Sequence, residues 1–330
     1  MTPRIASLLA SATEIVCELG LADHLVAISH ECDHPPEVLD RPRVSRPRFD
    51  PSGLDSGAVD RAVREAMAEH GSVYEVDGKT LAALEPDLIL TQAICEVCAV
   101  PAPGVEDLVA ARGLGARVLP VDSHTVEEIL QSIQAVARAA GEPDRAGGVL
   151  EALRQRLQAV KEAVEGAEAP RVLAVEWLDP PFSPGHWVPE MVELAGGVNV
   201  LGEVGAPSRQ VSWDELEGLD PDVLVIMPCG YDLEASTVDA QAHQAHLVSV
   251  APRAVKEGRA YVVDGSAYFN RSGPRILTGI EILAGLFHPR RFPAPAPDTA
   301  ATWRPESVEP SGPTTSALRP SSGSPGTYPD

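Results

Sequence analysis

Hydrophobic positions follow the same pattern in two distant parts of the chain. Residues 81–90 (LAALEPDLIL) and 216–226 (LEGLDPDVLVI) each begin with helically spaced apolar side chains and continue through Pro-Asp into an unbroken apolar run. Proline disfavours a helical conformation in the residue before it, so each helix is predicted to end there. A short run rich in Val, Ile and Leu is typical of a strand covered on both faces. The pattern therefore predicts the same helix-to-strand unit twice.

Further strands are predicted before and after each unit. Apolar segments precede the units at residues 4–9 and 171–175, and others follow them at residues 117–122 and 259–264. Strands that alternate with helices favour parallel sheets flanked by helices. We therefore predict an α/β protein with two parallel-sheet lobes and a ligand cleft between them. Because the repeat is short, a chance likeness between two ordinary α/β units stays open as the alternative.

The segment between the lobes has a helical pattern without strands. Apolar side chains recur at helical spacing over residues 125–140 and again from Asp144 to about residue 165. The second helix would be roughly 30 Å long, which is enough to join two lobes as a rigid backbone helix. A long helix of the ordinary α/β kind is the simpler alternative. The predicted divisions are an N-terminal α/β lobe at 1–123, connecting backbone helices at 124–168, a C-terminal α/β lobe at 169–290 and a disordered Pro/Ser-rich tail at 291–330.

The chain is strongly acidic. It has 48 acidic and 26 basic side chains, a formal net charge of -22 at pH 7. Such a surface repels phosphate, which argues against nucleic acid or an anionic membrane as a partner. No apolar run approaches the roughly 20 residues that span a bilayer. The run at residues 5–12 is too short for a signal peptide and is followed at once by Glu14 and Glu18, so we expect a cytoplasmic protein.

Aromatic side chains are concentrated in the loops that follow the predicted strands, where open α/β sheets bind their ligands. Six of the 14 Phe, Trp and Tyr residues fall in these loops, a bias that suits a large, flat, partly apolar ligand. The alternative is that they only seal the ends of the sheets. The candidate ligand-binding residues are Ser11, Thr13, Cys32, Gln92, Cys95, Trp177, Phe182, His186, Trp187, Tyr231, Tyr268, Phe269 and Arg271.

Three cysteines suggest different chemistry. Cys32, Cys95 and Cys98 can bind zinc or iron if their loops converge, can act as a redox pair at Cys95 and Cys98, or can simply pack. No nucleophile elbow, Walker loop or dinucleotide fingerprint occurs, so no catalytic residue is assigned and we expect a non-enzymatic binder. The competing interpretation from another class is an enzyme that uses Cys95, Cys98 or His186 with cobalamin or a metal.

Five segments together resemble the class III, helical-backbone family of periplasmic substrate-binding proteins. The Pro-Asp strand marks the class as a whole, whereas the PPF and YFNR loops resemble its cobalamin-binding branch more specifically. The segments are SLLASATE at 7–14, SHECDHPP at 29–36, LEPDLI at 84–89, PPFSPG at 180–185 and YFNRSGPRI at 268–276.

This resemblance runs from residue 4 to about residue 288 and implies cobalamin or another corrinoid held between two lobes, without catalysis, for uptake or intracellular handling. An iron siderophore or haem is the alternative ligand. The resemblance also implies a monomer that docks on an ABC permease through one acidic residue per lobe. Glu215 matches the second such position, but Lys79 stands at the first.

Overall fold

The computed structural model describes residues 3–92 and 100–306. The N-terminal lobe has a four-stranded parallel sheet in the order β2-β1-β5-β6 and a separate antiparallel pair, β3–β4. Its central strands β1 and β5 are entirely buried, because helices cover both faces of the sheet. The strands are β1 Ile5–Ser7, β2 Leu25–Ala27, β3 Ser45–Pro47, β4 Tyr74–Val76, β5 Leu88–Thr91 and β6 Arg117–Pro120, and the helices are α1 Ala10–Glu18, α2 Ser56–His70, α3 Gly78–Ala83 and α4 Ala102–Arg112.

Two helices connect the lobes, α5 at Val126–Ala139 and α6 at Ala146–Val164. Thr125 caps α5 by accepting a hydrogen bond from the Glu128 amide. The 19 residues of α6 span about 28 Å. Arg156 of α6 donates from Nε and Nη2 to the two carboxylate oxygens of Glu281 in the C-terminal lobe, at 2.9 and 2.7 Å, so the middle of the connecting helix is attached to that lobe. The predicted two-lobed α/β architecture is confirmed.

The C-terminal lobe has a five-stranded sheet in the order β10-β7-β11-β12-β13, parallel except for its last strand. β8 and β9 form a short antiparallel hairpin after β7. The strands are β7 Arg171–Val175, β8 Trp177–Leu178, β9 Pro181–Phe182, β10 Val198–Asn199, β11 Val223–Ile226, β12 Ala260–Val263 and β13 Ala300–Thr302, and the helices are α7 Val188–Leu194, α8 Trp213–Glu217, α9 Leu233–Ala242, α10 Gln244–Val250, α11 Pro252–Lys256, α12 Gly265–Tyr268 and α13 Ile276–Phe287. No helix within the described ranges is long and apolar enough to cross a bilayer.

The C-terminal tail is ordered further than the composition predicted. β13 pairs with β12 as an antiparallel edge strand, and Trp303 beside it is only 2% exposed. The prediction of disorder from residue 291 is therefore wrong for residues 291–306. The proline-rich composition gave no sign of β13, because this short strand forms only by pairing with the edge of β12. Residues 307–330 lie outside the described part of the chain.

The repeated sequence unit has the same local geometry in both lobes. The Asp87 carboxylate accepts a hydrogen bond from the Arg4 amide at 2.8 Å, and Asp222 does the same for Arg171 at 2.8 Å. The Arg4 and Arg171 guanidinium groups in turn donate to the carbonyls at the ends of helices α3 and α8, Leu84 and Leu219. Thus each Pro-Asp motif ties the start of the first strand of its lobe to the adjacent helix end.

The backbone before the two prolines is also alike. Glu85 and Asp220 both have positive φ, +42° and +40°, which is uncommon for residues other than glycine. In both units this residue lies between the end of the helix and the start of the following strand. The likeness between the two units is therefore one of backbone geometry as well as sequence.

We expect Asp222→Ala to lower the free energy of unfolding by about 1–2 kcal/mol, because it removes the acceptor of the Arg171 amide and one carboxylate partner of Arg253. Asp87→Ala should lower the free energy of unfolding by about 1 kcal/mol. The Asp87 carboxylate accepts the hydrogen bond of the Arg4 amide, but among the described residues it has no counterpart of the ion pair between Asp222 and Arg253. Urea denaturation followed by circular dichroism measures both values. Glu106→Ala on the exposed face of α4 is the control, and an unchanged midpoint for Asp222→Ala would contradict this role.

Candidate functional site

The carboxyl ends of the two parallel sheets face each other, and the loops there make contact between the lobes. At the centre, Ser11 at the start of α1 lies 3.4 Å from Ser272, oxygen to oxygen, and both side chains are buried. Gly273 packs directly on Ser11, where a Cβ would crowd the serine at 3.2 Å. The lobes are therefore in close contact at this point, with side chains from both filling the space between them.

A group of charges lies beside this contact, with Glu14 buried and Asp33 exposed; we call Glu14, Asp33, Arg271 and Arg275 the Glu14 cluster. Glu14 in α1 is 3% exposed and accepts hydrogen bonds from Arg275 at 2.6 and 3.0 Å and from Arg271 at 3.4 Å. Arg271 also binds both carboxylate oxygens of Asp33, one of them at 2.9 Å. Two arginines of the C-terminal lobe thus hold two carboxylates of the N-terminal lobe.

The electrostatics of the cluster favour the ionised forms of Asp33 and Arg271. Burial by itself would raise the pKa of Asp33, but the hydrogen bonds and positive charge of Arg271 outweigh it, and the pKa is lowered. For Arg271, burial opposes the charge, yet Asp33 and Glu14 raise its pKa above the usual value. Nearby Glu31 differs, because burial dominates and raises its pKa, while the Tyr74 hydroxyl donates to it at 2.9 Å. His30 is kept neutral, since burial and then Arg43 lower its pKa to about 4.

Three of the predicted aromatic residues come together at a second contact between the lobes; we call Trp177, Phe182 and Tyr231 the aromatic group. Trp177 and Phe182 are directly opposite each other in the β8–β9 hairpin, and the Tyr231 ring meets Trp177 edge-on at 5.1 Å. All three side chains are partly exposed. Burial, followed by the charges of Asp239 and Asp55, raises the pKa of Tyr231 to about 12.

The inserted helix α2 of the N-terminal lobe docks beside the aromatic group. Ser56 is buried and donates to Asp239 of α9 at 2.8 Å, and Arg64 donates to Gln210 at 3.1 Å. Gly57 lies against Asp179 so closely that a Cβ has no room there. The hydrogen bond from His243 to Asp239 raises the pKa of this histidine despite partial burial. Acidic side chains therefore border the aromatic group.

The other predicted aromatic residues lie elsewhere. Trp187 is 9% exposed and its indole donates to the Phe269 carbonyl at 2.7 Å, while the Phe269 side chain is fully buried. Both belong to the core of the C-terminal lobe in this structure and do not line a groove. Tyr268 remains partly exposed and packs its ring against the Arg275 guanidinium at 5.6 Å. His186 lies at a third contact, opposite His124 of the N-terminal lobe.

The predicted cysteine site is not supported. Cys32 is 1% exposed, contacts the Thr13 hydroxyl at 3.1 Å and packs with Ala10 and Ile28. Burial raises its pKa, which keeps the metal-binding thiolate form scarce. Cys95 and Cys98 lie outside the described residues. Within residues 3–92 and 100–306, no three His, Cys, Asp or Glu side chains come together as a metal site, so the expectation of zinc or iron bound by cysteines is dropped.

The remaining predicted residues are divided between the interior and the outer surface. Ser11, Thr13 and Gln92 are buried near the carboxyl ends of β1 and β5. Glu215, in the first turn of α8, is exposed and forms an ion pair with Arg209 at 2.6 Å. Lys79 occupies the first turn of α3 and is also exposed.

Sequence reasoning missed several of the residues that join the lobes. Glu14, Asp33 and Arg275 all fall in the segments that carry the family resemblance, yet nothing in their spacing shows that they meet. Asp239 carries no sequence signal, because its role depends on α2 of the other lobe. A carboxylate inside an apolar helical stretch, as at Glu14, was the one clue available.

Replacing the buried carboxylate should be strongly destabilising. Glu14→Gln leaves Arg275 without its main partner in a buried position, and we expect the free energy of unfolding to fall by about 3 kcal/mol. Glu18→Gln, exposed one turn further along α1, is the matched control and should change little. Calorimetric melting of both variants tests this, and equal melting temperatures would show that the cluster does not hold the lobes together.

Comparisons with known proteins agree with this fold. A vitamin B12-binding protein of Vibrio cholerae is 26% identical over 282 residues, 84% of this chain and 86% of that protein. A vitamin B12-binding protein of Yersinia pestis is 25% identical over 283 residues, 85% of this chain and 84% of that protein. The similarity thus extends along both lobes rather than one.

Solved structures of the same architecture bind different ligands. A periplasmic haem-binding protein from Pseudomonas aeruginosa matches with a TM-score of 0.68 at 21% identity, covering 92% of this chain and all of that one. The periplasmic vitamin B12-binding protein of Vibrio cholerae matches with a TM-score of 0.61 at 24% identity, covering 87% and 97%. At these identities the likeness establishes the fold and leaves the ligand undecided.

A family model described as periplasmic binding protein matches residues 5–267, most of the chain. The expectation of a cytoplasmic protein is wrong on this comparison, because the family and its solved members are periplasmic. That expectation came from a short apolar run, which is weak evidence about cellular location. The resemblance to class III binding proteins is confirmed: the chain belongs to the periplasmic binding protein family.

Proposed function

We propose that this protein binds a corrinoid such as cobalamin, without catalysis, at the junction of its two lobes. The observation that carries the proposal is the aromatic group at the edge of that junction, which is bordered by the carboxylates of Asp55, Asp179 and Asp239. The relatives at 25–26% identity that are named vitamin B12-binding proteins support the same ligand class.

The aromatic group suits a ligand with a broad apolar face. Trp177, Phe182 and Tyr231 present neighbouring rings that are partly exposed, on a rigid hairpin and the loop beside it. Large aromatic side chains supply a large contact area. Because they have few rotatable bonds, they lose little conformational entropy when a ligand binds. A corrin ring offers both a face for these rings and peripheral groups that can hydrogen bond.

The charges at the junction favour a corrinoid over haem. Haem carries two propionate carboxylates, which need cationic partners, whereas cobalamin carries neutral amides and a single phosphodiester around a cationic metal. Arg271 and Arg275 are already engaged by Glu14 and Asp33. The aromatic group is bordered by Asp55, Asp179 and Asp239. Carboxylates on a ligand would therefore meet like charge, which selects against them.

Delivery to an ABC permease is part of the proposal only for the C-terminal lobe. Glu215 is exposed on α8 and available at the surface, although it is paired with Arg209. On α3 of the other lobe, Lys79 presents the opposite charge. A permease with two identical basic docking sites would attract Glu215 and repel Lys79. The permease surface that faces α3 would therefore have to differ from the surface that faces α8.

The direct test is retention of colour. Purified protein mixed with hydroxocobalamin and passed through a desalting column should elute with a red chromophore, whereas hemin treated identically should not be retained. Retention of hemin alone would favour the haem interpretation, and retention of neither would reject the proposal.

Substitutions locate the ligand. Trp177→Ala and Tyr231→Ala should each weaken corrinoid binding by about 1–3 kcal/mol in titration calorimetry, the range for a buried interfacial anchor. Trp213→Ala is the matched control, because Trp213 stacks on His246 of α10 rather than on the aromatic group. Unchanged affinity in both test variants would place the ligand away from the aromatic group.

A further inference from the structure

Two histidines from different lobes face each other at the third contact; we call them the histidine pair. His124 follows β6 of the N-terminal lobe, and His186 follows the β8–β9 hairpin of the C-terminal lobe. Their ring centroids are 5.4 Å apart and the ring planes are inclined at 47°. Nothing in the proposed corrinoid site requires this arrangement.

The backbone around His124 is held in place by hydrogen bonds. Glu128 accepts a hydrogen bond from the His124 amide at 2.6 Å, as part of the cap of α5. The next free amide of that helix end, Val126, donates to Glu190 of the C-terminal lobe at 2.7 Å. One cross-lobe hydrogen bond therefore lies two residues from His124, which fixes the distance between the lobes at this point.

His186 is held as firmly and in an unusual conformation. Its amide donates to the Ala206 carbonyl at 2.6 Å, and its carbonyl accepts from Gly205 at 2.8 Å. Its φ is +51°, a conformation that costs free energy in a residue other than glycine and tends to occur where function requires it.

The His186 ring has a nitrogen atom that can bind a ligand. Its Nδ1 is buried and has no hydrogen-bond partner among the described residues. Buried polar atoms without a hydrogen-bond partner are rare, and a bound ion is one way in which such an atom is satisfied. Burial, and secondarily His124, lower the pKa of His186, so that the imidazole is neutral at pH 7. Only a neutral imidazole can bind a metal ion.

We propose that His124 and His186 jointly bind one divalent cation of the zinc class. Imidazole nitrogens bind zinc at about 2.0–2.1 Å, and two imidazoles at tetrahedral angles then have ring centroids roughly 5 Å apart. The observed separation of 5.4 Å fits this arrangement. It does not fit the two opposite axial positions of a corrin or haem metal, which would separate the rings further.

The remaining coordination positions stay open to water or to a ligand atom, because residues 3–92 and 100–306 bring no third His, Cys, Asp or Glu side chain to the pair. A metal held by one ligand from each lobe would join the lobes on the side where Glu190 binds α5. The site is thus a second ligand site, distinct from the aromatic group.

Calorimetric titration of the full chain, stripped with EDTA, with Zn²⁺ and with Co²⁺ tests the site. His186→Asn removes the imidazole but keeps a residue that tolerates positive φ, and His124→Gln removes the other ligand. Each should weaken the tightest binding event by roughly tenfold or more. His70→Gln, an exposed histidine on α2, is the control and should bind as the unaltered protein does.

The double variant separates one shared site from two independent ones. If both histidines bind the same ion, losing the second after the first costs little more, so the effects are not additive. Additive losses, unchanged binding in the single variants, or no binding by the unaltered protein would each overturn the proposal. Corrinoid retention measured in EDTA reports on the proposed function alone, so failure of one proposal is distinguishable from failure of the other.

Discussion

The pairing of Glu14 with Arg275 and Arg271 is the interaction on which the arrangement of the lobes depends. A carboxylate that is 3% exposed is costly unless cations satisfy it, and here both cations come from the other lobe. Moving the lobes apart would separate these charges and expose Ser11 and Ser272 between them. The cluster therefore holds the loops around Ser11 and Ser272 together.

The connecting helix has a complementary role. α6 is a single continuous helix and is attached to α13 by the Arg156–Glu281 ion pair, so it cannot serve as a flexible hinge. The Glu14 cluster, the Ser56–Asp239 hydrogen bond and the Val126–Glu190 hydrogen bond then fix three separate points between the lobes. With a stiff connection and three fixed points, adjustment to a ligand is expected from side chains more than from rotation of whole lobes.

The chemistry at these contacts also differs, and on the proposed function this would let the junction discriminate among ligands. The charges of the Glu14 cluster compensate one another, the aromatic group offers apolar area bordered by acids, and the histidine pair offers nitrogen ligands. A neutral or cationic metal complex would contact all three groups without leaving an unpaired charge. An anionic ligand would bring its charge close to the carboxylates beside the aromatic group. The shared fold of haem-binding and vitamin B12-binding proteins is compatible with either ligand, so the choice between them depends on side chains and not on the fold.

The sequence by itself determined the α/β class, the duplicated Pro-Asp unit and the helical connection, because each of these depends on local periodicity and on the steric effect of proline. It also placed Trp177, Phe182 and Tyr231 beyond the carboxyl ends of β7 and β11, although two of them form a short hairpin instead of a loop. Only the tertiary structure decided that Trp187 and Phe269 are core residues, that residues 300–302 form an edge strand, and that Glu14 pairs with Arg275. The physical reason is that each of these features depends on contacts between residues that are far apart in the sequence, from 37 to 261 positions. The local spacing of apolar and polar residues does not determine which distant residues come into contact.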